Sequence, residues 1–201
     1  MTELEKMING LEYNSADKDL EIMRNKAKDL CLDYNLLKSN QAEEKENIVK
    51  KLFGKIGQNF AITAPFYCDY GFNIEAGSNF FVNHNCVILD CAKVKFGNNV
   101  FIAPNCGFYT AGHPLDKERR NSYIEYAYPI TIGNDVWIGA NVIVLPGVTI
   151  GNNCVIGAGS VVVKDIPDNM LAFGNPCKAI REINDDDKIK NLNWKNNNQY
   201  N

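Results

Sequence analysis

The chain has 201 residues, of which 45% are hydrophobic and 22% are charged, as is typical of one soluble globular domain with small additions. The formal net charge of −3 argues against a dedicated nucleic-acid-binding protein, which is normally basic. No apolar run is long enough to cross a bilayer, and the charged residues 1–7 are unlike a signal peptide, so we expect a cytoplasmic protein with no membrane partner.

The chain up to about residue 53 has the apolar spacing of helices. One helical face is predicted by residues that recur at intervals of three and four: Leu20, Met23, Ala27, Leu30 and Tyr34. Asp17 is the candidate N-cap of this helix. Asn40, followed three residues later by Glu43, is the candidate cap of a second helix.

From about residue 55 to residue 166, apolar residues recur every six positions, most regularly in the second half. One column contains Ile132, Ile138, Val144, Ile150, Ile156 and Val162, and a second lies two residues earlier, from Ile130 to Ser160. Positions spaced by two share one face of a strand, and no α-helix has a six-residue period. Each sextet is therefore predicted to be a short strand and a turn, in which a neighbouring glycine lets the backbone bend. The repeat predicts a hexapeptide β-helix.

The same period is weaker upstream, at Ile56, Ile62, Cys68, Ile74, Phe80 and Cys86. We expect a slip between about residues 90 and 95, after which the period resumes with Phe96 and Ile102. An ordinary β-sandwich is the alternative, but it does not explain so long a six-residue register. The solenoid should hold about five coils, stacked roughly 4.8 Å apart.

The seven cysteines include no CxxC pair, and several fall at repeat positions where a small buried thiol packs well. We expect reduced thiols, in keeping with a cytoplasmic chain. Metal-binding hexapeptide proteins need several histidines at repeat spacing, whereas this chain has two. No metal is therefore expected.

Residues 109–128 break the six-residue period completely, and many of them are charged. A long loop that leaves a regular solenoid is usually functional. The repeats end at Pro167, and Gly174-Asn175-Pro176 is a turn signal. Residues 185–194 are predicted to form a short helix, and residues 196–201 a frayed tail.

The predicted organisation has three parts. Residues 1–54 form a helical domain, residues 55–166 form the β-helix with its extruded loop at 109–128, and residues 167–201 form a closing segment.

Several stretches together resemble the sugar O-acetyltransferases of the maltose and galactoside type. The extruded loop contains TAGHP at residues 110–114, the repeats contain PITIGNDVWIG at 129–139, and the closing segment contains GNPCKAIR at 174–181. The helical preface, with Gly10 and Tyr13, is also similar to theirs. The resemblance implies a mainly β, left-handed parallel β-helix with a small N-terminal helical domain. It also implies a homotrimer with active sites between subunits, acetyl-CoA as the donor and a sugar as the acceptor.

His113 is the candidate catalytic residue. Transfer of an acetyl group from a thioester to an alcohol requires a group that removes the hydroxyl proton, and histidine titrates in a suitable range. The resemblance assigns this role of general base to His113. Glu125 or a backbone carbonyl could orient the imidazole ring. If the sugar hydroxyl attacks the thioester directly, no protein nucleophile is needed; a cysteine that carries the acetyl group as an acetyl-enzyme is the alternative. The other histidine, His84, is interpreted as a structural residue or as a contact at the rim of the site.

The resemblance assigns the donor site to Ala140, Ala158, Val163, Lys164, Lys178 and Arg181. The amide of Ala140 would stabilise the negative oxygen that develops during transfer. The three cations suit the phosphates of acetyl-CoA, because charge-assisted hydrogen bonds to phosphate are strong.

The resemblance assigns the acceptor site to Ser15, Asp69, Asn83 and Cys91. Ser15, Asp69 and Cys91 depart from the residues that the family can show there. Asp17 could substitute for an acid missing at Ser15, and Asp90 for one missing at Cys91. These departures leave the identity of the sugar open.

The first functional hypothesis is an acetyl-CoA-dependent O-acetyltransferase acting on a sugar of the maltose, glucose or galactoside type. An acetyltransferase for serine or for a hydroxylated antibiotic on the same scaffold is the alternative among enzymes. A non-catalytic β-helix assembly module is the alternative from another class. The presence of His113, Lys164 and Arg181 favours catalysis.

Overall fold

The computed structural model describes residues 1–188. The elements before the β-helix are α1 (Glu3–Ile8), β1 (Tyr13–Asn14), α2 (Lys18–Leu36) and α3 (Ala42–Leu52). The strands before the extruded loop are β2 (Lys55–Ile56), β3 (Ala61–Ile62), β4 (Phe66–Cys68), β5 (Ile74–Ala76), β6 (Phe81–Val82), β7 (Cys86–Leu89), β8 (Val94–Phe96), β9 (Phe101–Ile102) and β10 (Gly107–Tyr109).

The extruded loop contains β11 (Ala111–Gly112), α4 (Lys117–Asn121) and β12 (Ile124–Ala127). The later strands are β13 (Ile130–Ile132), β14 (Trp137–Ile138), β15 (Ile143–Val144), β16 (Thr149–Ile150), β17 (Val155–Ile156), β18 (Val161–Val162), β19 (Met170–Gly174) and β20 (Cys177–Glu182). A 3-10 helix (Asp185–Lys188) follows. The predicted helix beyond Lys188 and the predicted tail lie outside the described residues.

The short strands stack into three parallel sheets, which are the faces of a left-handed β-helix. Face 1 contains β2, β5, β8, β13 and β16; face 2 contains β3, β6, β9, β14, β17 and β19; face 3 contains β4, β7, β10, β15 and β18. Each coil visits faces 1, 2 and 3 in turn, and β20 pairs antiparallel with β19 at one end of face 2. The predicted left-handed parallel β-helix is confirmed.

The core of the β-helix is the pair of apolar columns predicted from the sequence. Between Ile130 and Val162, every residue of both columns is buried, including Cys154 and Ser160, whose small side chains can form hydrogen bonds. Stacking repeats in this way buries a continuous core that no single coil could bury alone.

Coil length varies along the chain, and the variation is concentrated at the corner between face 3 and face 1. Hydrogen-bonded partners on adjacent coils are 20 residues apart in the first coils, 36 apart across the extruded loop, and 18 and then 16 apart after it. The additional residues lie in a first insertion (residues 69–73), a second insertion (residues 90–93) and the extruded loop. The predicted slip near residue 90 is therefore correct, and the earlier slip was not predicted.

The glycines that follow the inward columns do not have the left-handed backbone conformation that forms the bends, so that part of the prediction is wrong. Glycine is needed at these positions because adjacent coils stack closely: a Cβ on Gly97 would lie 2.6 Å from the carbonyl oxygen of Gly133. The left-handed backbone occurs two residues later, at Asn79 and Asn99, which both have φ of 56°. Asparagine tolerates this region better than most residues do. The Asn79 Nδ2 group also donates to Asn99 Oδ1 at 2.8 Å along the stack.

The N-terminal helices cover the first coil. Asp17 caps α2 as predicted, accepting hydrogen bonds from the amides of Asp19 and Leu20 at 3.1 Å. The cap predicted at Asn40 is wrong, because the N-cap of α3 is Gln41 and its side chain makes no capping hydrogen bond. Covering the end of a solenoid protects the unpaired strand edge there.

The outward residues differ sharply between the three faces. Face 1 presents a polar row of Lys55, Glu75, Lys95, Thr131 and Thr149. Face 2 presents an apolar row of Ala61, Phe81, Phe101, Trp137, Val155 and Leu171. Face 3 presents Tyr67, Val87, Gly107, Ile143 and Val161.

Within residues 1–188, no helix has the length and apolarity needed to cross a membrane.

Candidate active site

The corner between faces 3 and 1 gathers a cluster of polar side chains. The two insertions and the extruded loop occupy this corner on successive coils and are therefore neighbours. Asp69 belongs to the first insertion and Cys91 to the second, and the Cys91 thiol lies 3.5 Å from Asp69 Oδ2. Ser15 reaches the same corner because its amide donates to the carbonyl of Tyr123 in the extruded loop at 2.9 Å.

His113 follows β11 in the extruded loop, and its side chain is 53% exposed. Its Nε2 atom lies 3.8 Å from Oε1 of Glu125, which is only 18% exposed. This separation is too long for a hydrogen bond, and the contact becomes an ion pair only when the imidazole is protonated. The other carboxylate oxygen of Glu125 accepts a hydrogen bond from the hydroxyl of Tyr13 at 2.7 Å. The exposed imidazole of His113 therefore lies beside the Glu125 carboxylate, and the Tyr13 hydroxyl restrains the orientation of that carboxylate.

Asp90 has a structural position that the sequence did not reveal. It is fully buried, and its carboxylate accepts the amides of Asp69, Tyr70 and Asn73 at 3.1, 2.8 and 3.3 Å. Burial raises the pKa of Asp90 to about 6, although the amide donors oppose this shift. Asp90 thus fixes the first insertion and is not available to take the place of an acid at Cys91.

Asp17 is likewise engaged, because both of its capping hydrogen bonds serve α2. Both hydrogen bonds are accepted by Oδ1, and the suggestion that Asp17 replaces an acid at Ser15 stays a prediction. Burial raises the pKa of Asp69, with the Cys91 thiol and the charge of Arg24 acting in the opposite direction.

Arg24 is a second residue of this corner that sequence reasoning missed. Its guanidinium donates to the hydroxyl of Tyr70 at 2.7 Å and to the carbonyl of Ser15 at 2.8 Å. It thereby ties α2 and the segment after β1 to the first insertion. Nothing in its helical spacing signals this role, because Arg24 directly follows the apolar position Met23.

Asn83 lies at a different corner, between faces 2 and 3. It follows β6, and Ala140 and Ala158 follow β14 and β17 at the same corner on later coils. A sextet of extended chain spans about 20 Å, so one whole face separates this corner from the one that holds His113. Within one chain, Asn83 is therefore not brought together with Ser15, Asp69 and Cys91.

A shallow concavity on face 2 adjoins Asn83. It is lined by Phe81, Asn83, Phe101, Ile102, Ala103 and Trp137. The indole of Trp137 is 55% exposed and Phe101 is 49% exposed, so the floor is an open apolar surface. The carbonyl of Ala140 accepts the amide of Gly159 at 2.8 Å, which fixes the backbone near the concavity.

The predicted donor cations are exposed and lie towards the C-terminal end of the β-helix. Lys178 and Arg181 are on β20, opposite Phe173 and Leu171 of β19. Val163 and Lys164 follow β18, at the corner between faces 3 and 1 but on a later coil than His113. Ala140 and Ala158 thus lie at one corner and Val163 and Lys164 at the other, while Lys178 and Arg181 lie on the edge strand of face 2.

The cysteines near these corners are poor candidates for a nucleophile. Burial raises the pKa of both Cys91 and Cys106, which disfavours the reactive thiolate. All seven cysteines, which lie within the described part of the chain, are buried. Among residues 1–188, no group of histidine, cysteine and acidic side chains could hold a metal ion.

The β-helix, the exposed histidine on an extruded loop and the apolar concavity beside alanine-bearing turns define a hexapeptide-repeat acyltransferase. Residues 6–57 match the family described as the maltose acetyltransferase hexapeptide capping motif. Residues 129–164 match the family described as bacterial transferase hexapeptide, with six repeats.

Similar proteins identify the family. Galactoside O-acetyltransferase of Escherichia coli K12 is 44% identical over 165 residues, covering 82% of this chain and 81% of that protein. The structure of a maltose O-acetyltransferase from Clostridium difficile 630 is 48% identical, with a TM-score of 0.90, covering 92% of this chain and 99% of that one. A galactoside acetyltransferase in complex with coenzyme A is 44% identical, with a TM-score of 0.90 and 94% of each chain covered.

The chain belongs to the sugar O-acetyltransferases of the maltose and galactoside type, and it is an acetyl-CoA-dependent acetyltransferase. The predicted family and enzyme class are confirmed. The alternative of a non-catalytic assembly module is therefore set aside.

Proposed function

We propose that the protein transfers the acetyl group of acetyl-CoA to a hydroxyl of a sugar of the maltose, glucose or galactoside type, with His113 as the general base. The observation that carries the proposal is the position of His113. It is the exposed histidine of the extruded loop, beside Glu125 and at the same corner as Ser15, Asp69 and Cys91.

In the proposed reaction, the sugar hydroxyl attacks the carbonyl carbon of the thioester, and His113 accepts the hydroxyl proton. As the carbon–sulfur bond breaks, the protonated imidazole returns the proton to the leaving sulfur. The amide of Ala140 donates to the oxygen that becomes negative. Direct attack is supported by the raised pKa of the Cys91 thiol, which makes an acetyl-enzyme at this corner unfavourable.

For the acceptor, we propose contacts from Ser15, Asp69 and Cys91 of one subunit and from Asn83 of the next. Asn83 is separated from the other three by a whole face of its own chain, so it can join them only from a neighbouring copy. Faces 2 and 3 present apolar outward rows, whereas face 1 is polar. We propose a homotrimer that covers these apolar rows, leaves face 1 exposed and sets Asn83 of one subunit against the polar corner of the next.

For the donor, we propose a site that includes the turns at Ala140 and Ala158, the corner residues Val163 and Lys164, and the β20 cations Lys178 and Arg181. Lys178 and Arg181 are exposed on β20, the strand at the C-terminal end of the face that holds the apolar concavity, which suits a ligand with an elongated arm and several phosphates. The relative solved with coenzyme A supports this choice of donor.

The test is an acceptor panel assayed by release of the free thiol of coenzyme A. The panel contains maltose, glucose, a galactoside, serine and a hydroxylated antibiotic. A sugar should show the highest kcat/KM, and preference for serine or the antibiotic would overturn the proposed acceptor class.

The role of His113 is tested with H113A. It should lower kcat by about 10²–10⁴-fold and leave the affinity for acetyl-CoA, measured by calorimetry, unchanged. H84A is the matched control, because it removes the other histidine of the chain. The base assignment fails if H113A keeps a near-normal kcat, or if H84A causes an equal loss.

A further inference from the structure

We infer that Tyr13, in the N-terminal segment, is a positioning residue for acetyl transfer, acting on His113 through Glu125. The inference rests on the proposed role of His113. It concerns a residue far from the extruded loop in sequence, and it assigns the N-terminal segment a role in the reaction beyond covering the first coil.

The backbone places these residues in one row. Strand β12 lies between β1 and β11 in a small antiparallel sheet. Tyr13 of β1 is directly opposite Glu125, and Gly112 of β11 is opposite Tyr126. His113, which follows Gly112, therefore comes next to Glu125 on the other side. Directly opposed residues on antiparallel strands have neighbouring side chains.

The side chains continue this row. The Tyr13 hydroxyl donates to Glu125 Oε2 at 2.7 Å, which leaves Oε1 at 3.8 Å from His113 Nε2. Tyr13 is 1% exposed and packs in a buried cluster with Met7, Leu20 and Tyr70. Its ring therefore has one fixed position, and its hydroxyl restricts how the Glu125 carboxylate can turn.

The chemical consequence follows from charge. A fixed carboxylate stabilises the imidazolium that forms when His113 takes the hydroxyl proton, and it restrains the ring. Without the Tyr13 hydroxyl, Glu125 can rotate away and both effects weaken. Tyr13 itself need not touch the substrate for this to matter.

The test uses Y13F, which removes only the hydroxyl, with Y70F as the matched control. Tyr70 is buried in the same cluster, but its hydroxyl contacts Arg24 rather than Glu125. Y13F should lower kcat about tenfold, the size expected for one lost hydrogen bond to a charged group, with unchanged KM for acetyl-CoA. The kcat–pH profile of Y13F should also change, because the carboxylate that faces the imidazole is no longer held in place. Y70F should keep the wild-type profile.

E125Q provides a second, independent arm. It should change the profile in the same way, and adding Y13F to E125Q should lower kcat no further, since both act through one carboxylate. The inference is overturned if Y13F behaves like Y70F, if the two losses multiply, or if E125Q keeps the wild-type profile. An unchanged profile in E125Q would overturn the inference even if Y13F does not fold. Should H113A retain activity, the proposed base fails; should H113A lose activity while Y13F does not, only the role of Tyr13 fails.

Discussion

Arg181 and Asp187 form a two-pronged ion pair, in which Nη1 donates to Oδ2 at 2.8 Å and Nη2 donates to Oδ1 at 2.6 Å. The hydrogen bonds from Arg181 lower the pKa of Asp187 to about 2, so the carboxylate is ionised throughout the neutral range. The aspartate therefore occupies the guanidinium edge that a phosphate would use, and the two anions should compete.

We predict opposite effects of changes to the two members of this pair. D187N should lower the KM for acetyl-CoA, because it removes the competing charge from Arg181. R181A and K164A should each raise that KM about tenfold and weaken its dependence on salt, since charge-assisted phosphate contacts are lost.

K95A, which removes an exposed cation from face 1, is the control and should leave KM unchanged. Steady-state kinetics at two or more salt concentrations give all of these values. An unchanged KM for acetyl-CoA in R181A, together with a raised KM for the sugar, would place Arg181 in the acceptor site instead.

The protein is predicted to be a trimer in solution. Light scattering should give about three times the 22.5 kDa chain mass. F101E places a charge in the apolar row of face 2 and should dissociate the trimer, whereas K95E changes the polar face 1 and should not. A wild-type monomer at micromolar concentration would contradict both the trimer and a site shared between subunits.

Subunit mixing tests whether Asn83 and His113 act from different chains. N83A and H113A should each be nearly inactive when assembled alone. When the two are co-expressed, every mixed trimer should contain one cleft with both native residues, so about a quarter of wild-type activity should return with random assembly. If one chain supplied both residues to the same site, mixing would restore nothing.

The raised pKa of Asp90 predicts a specific pH dependence of stability. Its pKa is about 6 in the folded chain, against an ordinary value of 3.8, so the folded chain binds the proton more tightly. Asp90 should therefore make the free energy of unfolding fall as pH rises from about 4 to 6, by about 3 kcal/mol in total, and contribute no slope above that window.

Urea unfolding of the wild type and D90N between pH 4.5 and 7, at equal protein concentration, measures this contribution as the difference between the two slopes. D90N should be less stable overall, since an amide cannot accept from all three backbone donors. Equal slopes in the two proteins would show that Asp90 does not take up the proton.

The later coils could be predicted closely from the sequence because both inward columns are apolar from Ile130 to Val162. The earlier coils were harder for a physical reason. The two inward columns are two residues apart, so a two-residue insertion moves the register from one column into the other. Ile74, Phe80 and Cys86 are buried and keep the six-residue spacing, although they belong to the earlier column. The first insertion was therefore invisible in the periodicity.

The candidate site was only partly predictable for a related reason. His113 was singled out as a candidate by its loop, which interrupts the repeat, and by the family resemblance, whereas Asp69 and Cys91 were singled out by the resemblance alone. The roles of Arg24 and Asp90 depend on contacts between segments distant in sequence, which no local spacing encodes. The separation of Asn83 from His113 depends on which corner each residue occupies, and that requires the coil lengths to be known.

The concentration of length changes at one corner has a consequence for how such chains can diversify. Adjacent coils remain in register on all three faces whether their partners are 20, 36 or 18 residues apart. Segments of new length or composition can therefore be grafted at this edge while the stacking of the solenoid is preserved. With the acceptor site proposed above, a segment transplanted at this corner should change the acceptor preference of the enzyme without changing the stability of the β-helix.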